Sequence, residues 1–281
     1  MIIHEAIKEA SLRLKDQKIK SFILDSEILM SQVLNKKREY LILNMRNEIK
    51  QKDYEFFTKL VNERAKGKPI AYLTERKFFW KYEFIVNKNV LIPRPDTEII
   101  VDEILKLTKN KYYLNILDIG GGSGCILLSV LKEKKGFIGT GIDLSSKCLD
   151  LCRNNILNLK VSNKINLFKS DVDNFNYGKY DLIISNPPYI KNSDLKYLEK
   201  DVVKFEPKLA LDGGLDGISE IRKNIKKSSE LIKKNGKLIL EIAFDQKFKV
   251  KSLLKKKGFY INKVLKDFAK NDRCIVSTKI D

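Results

Sequence analysis

The stretch Tyr180-Asp181-Leu182-Ile183-Ile184-Ser185-Asn186-Pro187-Pro188-Tyr189 (YDLIISNPPY) decides how the chain is read. Its first six residues are a largely apolar run, which predicts a strand buried on both faces of a parallel sheet. Two consecutive prolines cannot continue that strand, so the backbone leaves the sheet after Ser185. In an open α/β sheet, the exit from a strand's carboxyl end is where ligands bind. Asn186 offers an amide acceptor and amide donors there, and Tyr189 a flat aromatic face. The segment predicts a rigid cradle for a planar amide or amino group.

On either side of this stretch, residues 114 to 278 alternate strand and helix patterns, which predicts a parallel sheet with helices on both faces. Strands are expected at Leu114–Asp118, Phe137–Asp143, Ile165–Phe168, Tyr180–Ser185 and Lys237–Ile242. Two later runs, Phe259–Leu265 and Arg273–Thr278, are joined by a polar turn and predict an antiparallel edge. The first strand opens into Asp118-Ile119-Gly120-Gly121-Gly122-Ser123-Gly124, followed by the helix Cys125–Leu131. Glycines there let a ligand approach the backbone, and a helix N-terminus offers unpaired N–H groups. No Gly-Lys-Ser/Thr follows, which excludes a Walker A phosphate loop. Asp143 ends the second strand, 19 residues after Gly124, where a carboxylate can bind ribose hydroxyls. Loop and acid together imply a nucleoside-bearing cofactor, and both NAD and S-adenosylmethionine (AdoMet) satisfy them.

The cradle separates these two. Hydride transfer has no use for Asn-Pro-Pro-Tyr, whereas methyl transfer to a planar nitrogen does. Such a nitrogen has a delocalised lone pair and is a poor nucleophile. Hydrogen bonds from its NH2 to Asn186 Oδ1 and the Pro187 carbonyl would orient it toward a sulfonium methyl, with Tyr189 stacked on the flat group. Alignment of this kind is proximity catalysis and needs neither a metal nor a covalent intermediate.

The rest of the 281 residues bound the reading. Apolar content of 43% supports a real core, and no run approaches the ~18 apolar residues of a membrane helix. The amino terminus is charged and amphipathic without a signal-peptide core. Cys125, Cys148, Cys152 and Cys274 form no CxxC pair; Cys148 and Cys152 read as core positions, and a reducing cytoplasm is the expected location. His4 is the only histidine, which removes Ser-His and Cys-His catalysis. The net charge is +19, but only nine of the 55 basic residues are Arg. That balance fits a general Lys bias better than a phosphate-reading surface, where Arg is favoured. No obligatory nucleic acid is expected, and a weak ribosome or RNA contact through the basic surface stays open.

Residues 1 to about 70 show helical periodicity, with apolar stripes through Ile3, Ile7 and Ala10, through Ile23, Ile28, Leu29 and Leu34, and through Phe56, Phe57, Leu60 and Val61. Gly67 and Pro69 mark the end of this helical part. Residues 77 to 86 (KFFWKYEFIV) predict a short hairpin in which Trp80 is core. Asp96 or Thr97 is expected to cap the helix beginning EIIVDEILK, and Arg94, pinned between two prolines, suits a buried ion pair or a carboxylate ligand. The expected division is residues 1–76, a helical substrate-recognition domain; 77–90, a hairpin connector; and 91–281, the catalytic domain.

Asp118 to Gly124, Asp143 and Asn186 to Tyr189 resemble a class I AdoMet-dependent methyltransferase of the amino-methylating branch. The whole chain is similar to the protein-(glutamine-N5) methyltransferases that act on class I peptide chain release factors. The similarity runs through Arg64-x-x-Gly67-x-Pro69-x-x-Tyr72, Leu91 to Glu98 (LIPRPDTE), the cradle with Ile190, Glu206-Pro207 through Gly217, Glu241-Ile242 with Gln246, and Asp272-Arg273. Glu75 and Ala243 stand where the family usually has Gly.

The resemblance implies a Rossmann-like, mostly parallel seven-stranded sheet with an antiparallel edge hairpin, plus the small helical domain. It implies AdoMet as methyl donor, S-adenosyl-L-homocysteine as product, no metal, and a release factor as protein substrate. By it Gly120, Gly121, Gly122, Ser123 and Gly124 hold AdoMet, Asp143 its ribose, and Asp171 or Val172 lies beside the adenine. Asn186, Pro187, Pro188 and Tyr189 hold the target glutamine, and Asn186 also faces the cofactor. The loop Glu206 to Gly217 reads equally as a cover over the cradle or a solvated connector.

Two rivals share this chemistry. A ribosomal-protein glutamine methyltransferase is not fully separated by these motifs. An N6-adenine nucleic-acid methyltransferase would need a reading domain of a size the chain lacks. From another class, an idle AdoMet-binding scaffold would have no need of Asn186 and Asp143.

Overall fold

The computed structural model describes residues 1–280. They divide into two compact units, one made of Met1–Arg76 with Glu199–Phe205, the other of Lys77–Leu198 with residues 206 onward.

The first unit is helical: Ile3–Asp16, Phe22–Leu34, Arg38–Leu43, Gln51–Ala65 and Ile70–Thr74. Ile3, Ile7, Leu14, Leu29, Met30, Phe57 and Leu60 meet in one buried cluster, but Ile23 and Phe56, expected on the same apolar stripes, face outward at 54% and 48% exposure, off the inward face that the 3.6-residue period sets. Arg64 ends the fourth helix with its Nε 2.7 Å from buried Asp25 and its Nη1 donating to the Lys68 carbonyl at 3.1 Å. Gly67, at φ +94°, then reverses the chain. The separate segment Glu199–Phe205 completes this unit, with Phe205 seated beside Gly67, where an added Cβ would stand 3.7 Å from its ring.

Glu75 ends the Ile70–Thr74 helix in the left-handed conformation, φ +56°. A Cβ is disfavoured there by about 1 kcal/mol, which explains why glycine suits this position in the family. Glu75→Gly is expected to stabilise the protein by about 1 kcal/mol, read as a higher midpoint of urea unfolding; an unchanged or lower midpoint would refute the strain.

Among the described residues nine strands, all but Arg76 in the second unit, run β1 (Arg76–Phe79), β2 (Tyr82–Ile85), β3 (Asn115–Ile119), β4 (Ile138–Asp143), β5 (Ile165–Lys169), β6 (Tyr180–Ser185), β7 (Ile232–Glu241), β8 (Phe259–Lys266) and β9 (Asp272–Lys279). β1 and β2 form the expected hairpin, with Trp80 half-buried at its turn (φ +57°) and its indole donating to Glu133 at 3.2 Å. The other seven make one sheet in the order β5-β4-β3-β6-β7-β9-β8, parallel except for β9. Alternate residues feed opposite cores: Ile116, Leu182, Ile184 and Ile239 join one cluster, and Leu117, Ile183, Leu238 and Leu240 the other. Helices cover both faces, which is why these strands read as continuous apolar runs.

Two expectations need correction. β7 begins at Ile232, five residues before Lys237, because a register shift between Tyr180 and Leu182 lets the polar Lys233–Gly236 stretch join the strand. Neither Asp96 nor Thr97 caps the helix Glu98–Leu107; Pro95–Thr97 forms a 3₁₀ turn, and Thr97 makes no side-chain cap bond. Its backbone is already helical at φ −71°, ψ −18°, whereas a capping residue sits in the extended region.

Candidate active site

The parallel register sets the site. Ile119 pairs with Ser185, and Ile119 with Ile142, so β3, β4 and β6 end level with one another. Gly120, Asp143 and Asn186 therefore emerge side by side at the carboxyl edge, and Asp171 follows β5 next to them. A surface depression of about 490 Å³ beside Lys251, Gly258 and Ile280 lies at the opposite end of the strands and plays no part here.

In the glycine loop, Gly120, Gly122 and Gly124 take positive φ values of +73°, +55° and +79°. A Cβ at Gly120 or Gly122 would meet nothing within 4 Å, so their open side is free for a ligand. At Gly124 it would stand 2.7 Å from Cys152 Sγ, so this glycine serves the packing of the following helix. The loop amides are mostly engaged: Gly120 and Gly121 donate to the Ile142 carbonyl at 2.9 and 3.2 Å, and Gly124 to the Gly121 carbonyl. Ser123 is buried, its carbonyl accepting from Asn155 Nδ2 at 2.9 Å, and Asn155 also brackets Ile85 of the hairpin through both its N–H and its carbonyl.

Asp118 occupies the space at the helix N-terminus. Burial raises its pKa to about 7, the charge of Asp143 adds to the rise, and a hydrogen bond from the Leu127 N–H opposes it. A pyrophosphate would need that space, and an acid already fills it. Asp143 accepts from Gly122 N at 3.0 Å through Oδ2 and from Ser145 N at 2.8 Å through Oδ1. Each oxygen keeps a second acceptor position. Burial raises the Asp143 pKa, while these two bonds and the Cys148 thiol hold it down. Asp171 turns its carboxylate onto Asp173 N at 2.9 Å, and Val172 is buried in the second core.

In the cradle, Ser185 Oγ donates to the Ile119 carbonyl at 2.8 Å and accepts from Asn224 Nδ2 at 2.9 Å, which locks the end of β6 to β3 and to the helix Ser219–Leu231. Asn186 is half-buried, and its Nδ2 donates to Thr97 Oγ1 at 3.3 Å. Pro187 is buried, Pro188 half-buried, and Tyr189 donates its hydroxyl to Glu241 at 3.2 Å. Burial pushes the Tyr189 phenol well up, as does the charge of Glu241. Gln246 clamps the cradle's exit: its Nε2 donates to the Tyr189 and Gly217 carbonyls, both at 2.9 Å, while its Oε1 accepts from Ala243 N at 3.0 Å.

The Glu206–Gly217 segment is tied to the cradle rather than solvated. Ile190 N donates to the Leu211 carbonyl at 3.1 Å, and Gly213 N to the Ile190 carbonyl at 2.8 Å. A Cβ on Gly213 would fall 2.8 Å from Tyr189 Cα, so only glycine permits this approach. Buried Glu206 pairs with Arg94 and accepts from Ile92 N at 3.2 Å, which makes the pinned guanidinium an ion-pair residue. Thr97, Asn155 and Asn224 carried no local signal of their contacts in the sequence.

A family model described as the PrmC N-terminal domain matches residues 5–74, and one described as the methyltransferase small domain matches residues 96–252. The release factor glutamine methyltransferase of Clostridium acetobutylicum is 34% identical over 282 residues, covering 99% of each chain. A bifunctional methyltransferase of Rickettsia felis is also 34% identical over 99% of this chain, which spans 58% of that relative's length. A methyltransferase structure from Pyrococcus furiosus shares the fold at a TM-score of 0.52 and 19% identity, over 70% of this chain and 89% of its own. The chain belongs to the family of release factor glutamine methyltransferases, on a class I methyltransferase fold.

Proposed function

We propose that this protein transfers a methyl group from S-adenosylmethionine to the side-chain amide nitrogen of a glutamine, the one in the Gly-Gly-Gln loop of class I peptide chain release factors. The observation that carries this reading is the pairing of Ile119 with Ser185, which sets the glycine loop and Asn186 next to each other at the ends of adjacent strands. Donor and acceptor would meet there with no bridging group between them.

The residues present fit the cofactor. AdoMet has no phosphate, so a helix N-terminus filled by Asp118 suits it better than it suits a dinucleotide. Gly120 to Gly124 border the open face of the loop, Asp143 keeps acceptor positions for ribose hydroxyls, and Asp171 and Val172 flank the adenine. AdoMet supplies an electrophilic methyl on a positively charged sulfur. Asn186 Oδ1 and the Pro187 carbonyl accept from the glutamine NH2, Pro188 stiffens the turn, and Tyr189 lies against the flat amide. Holding the nitrogen in line is worth several kcal/mol, within the roughly 7–11 kcal/mol that ideal orientation provides.

Residues 1–76, completed by Glu199–Phe205, serve as the substrate-recognition domain, 77–90 as the connector and the rest of 91–281 as the catalytic part. The substrate would place the enzyme in the cytoplasm; among the described residues no helix is long and apolar enough to cross a membrane. The test is incubation with isotopically labelled AdoMet and, separately, a release factor, ribosomal proteins or DNA, followed by mass spectrometry. Label on the Gly-Gly-Gln glutamine supports the reading; label on a ribosomal protein or on adenine instead would overturn the substrate.

A further inference from the structure

We propose that Asn155 is a positioning residue for the cofactor, its buried amide fastening the glycine loop to the edge of the β1–β2 hairpin. The proposal rests on the reading of Gly120 to Gly124 as the loop that holds AdoMet. Asn155 lies on the buried face of the helix Ser146–Leu159, with Cys152, Ile156 and Leu159, and is 0% exposed. An aliphatic side chain would serve packing there, whereas a buried amide needs its polar atoms bonded. Asn155 meets that need with three hydrogen bonds. Its Oδ1 accepts from Ile85 N at 2.7 Å, and its Nδ2 donates to the Ile85 carbonyl at 3.0 Å and to the Ser123 carbonyl at 2.9 Å. The two bonds to Ile85 are those that a residue of a neighbouring strand would exchange, and among the described residues β2 pairs with no strand but β1. The second amide hydrogen is the one that reaches the loop.

That bond matters because of where Ser123 stands. Gly122 at φ +55° and Gly124 at φ +79° flank it, and glycine leaves the orientation of a peptide to outside contacts. The end of β4 holds the loop from one side: Gly120 and Gly121 donate to the Ile142 carbonyl, and Gly122 to Asp143. Asn155 supplies the opposing hold from a different element. Released from it, the Ser123 peptide turns between its two glycines, and AdoMet has to order the loop as it binds, which lowers affinity. The bonds of Asn155 go to backbone groups of Ile85 and Ser123 and not to Asn186, so the methyl-transfer step of the loaded enzyme keeps its rate.

The test uses the full chain with Asn155→Asp, Asn155→Ala and Asn158→Ala. Aspartate keeps the size of asparagine and the acceptor for Ile85 N, and removes the donor to Ser123. Asn158 ties the same helix to the same hairpin, donating to the Glu83 carbonyl at 3.3 Å without involving the loop, and so controls for a loosened hairpin. Calorimetry should give an AdoMet Kd raised about 30-fold in both Asn155 variants, the scale of leaving a buried carbonyl unsatisfied, and within about twofold of wild type in Asn158→Ala. The kcat at saturating AdoMet should stay within about threefold in all three. Hydrogen exchange in the wild-type protein reads the same tie without a substitution, and decides alone if the Asn155 variants do not fold. AdoMet should slow the Ile85 amide about fivefold or more beyond its effect on the Trp80 amide, which Glu98 holds at 2.9 Å in the same hairpin. Wild-type Kd in a folded Asn155 variant, an equal loss in Asn158→Ala, a fall in kcat as large as the loss of affinity, or equal slowing at Ile85 and Trp80 overturns the proposal. A wild-type protein that binds no AdoMet overturns instead the cofactor reading beneath it.

Discussion

Replacing Asn186 with alanine is expected to lower methyl transfer by about 10³-fold, the scale on which preorganised hydrogen-bond partners of a reacting group act. The AdoMet Kd should move by less than about threefold, a change under 1 kcal/mol. The two effects separate because the residues proposed to hold the cofactor sit at the ends of β3, β4 and β5, whereas Asn186 follows β6. Single-turnover rates with a release factor, beside calorimetry with AdoMet alone, read the two quantities independently. The fold should tolerate the change, since Ser185, bound to Ile119 and Asn224, holds the strand end without help from Asn186. Turnover like that of wild type would show that the cradle does not act through its amide.

The second large effect is expected at Asp143. Its alanine variant should weaken AdoMet binding about 100-fold, since charge-assisted hydrogen bonds contribute roughly 1.5–3 kcal/mol each. Two losses combine: the acceptor for ribose hydroxyls, and the tether from Gly122 N that shapes the glycine loop. Asp143→Asn retains one acceptor oxygen and should fall between wild type and alanine. Calorimetric titration checks the series, and an alanine variant with full affinity would remove Asp143 from the cofactor site. Here kcat at saturating AdoMet should fall far less than the affinity does, the reverse of the pattern at Asn186.

What the sequence made legible was local. YDLIIS announced β6 at its observed ends because parallel strands covered on both faces carry unbroken apolar runs. The paired prolines announced its exit, and the glycine spacing announced the loop after β3. Arg94 was recognisable as a pinned guanidinium, but its partner Glu206 lies 112 residues further on, a separation no periodicity encodes. The early start of β7 escaped because Lys233-Lys234-Asn235-Gly236 lacks any strand pattern; pairing with β6 across a register shift overrides propensity there. Thr97 misled because threonine ahead of a helix usually caps it. Its backbone conformation sends the hydroxyl to Asn186 instead, a choice made by tertiary contact. The loop from Glu206 stood undecided between cover and connector, and the close approach of Gly213 to Tyr189 resolves it as part of the cradle's wall.

The segment Glu199–Phe205 has a consequence for how the protein comes into being. The helical unit opens the chain, yet its last piece is encoded after β6 and the cradle. Domains ordinarily finish folding in the order in which they leave the ribosome. Here the first unit to emerge stays incomplete until residue 205 has been synthesised, so most of the methyltransferase sheet is already out before its neighbour in sequence can close.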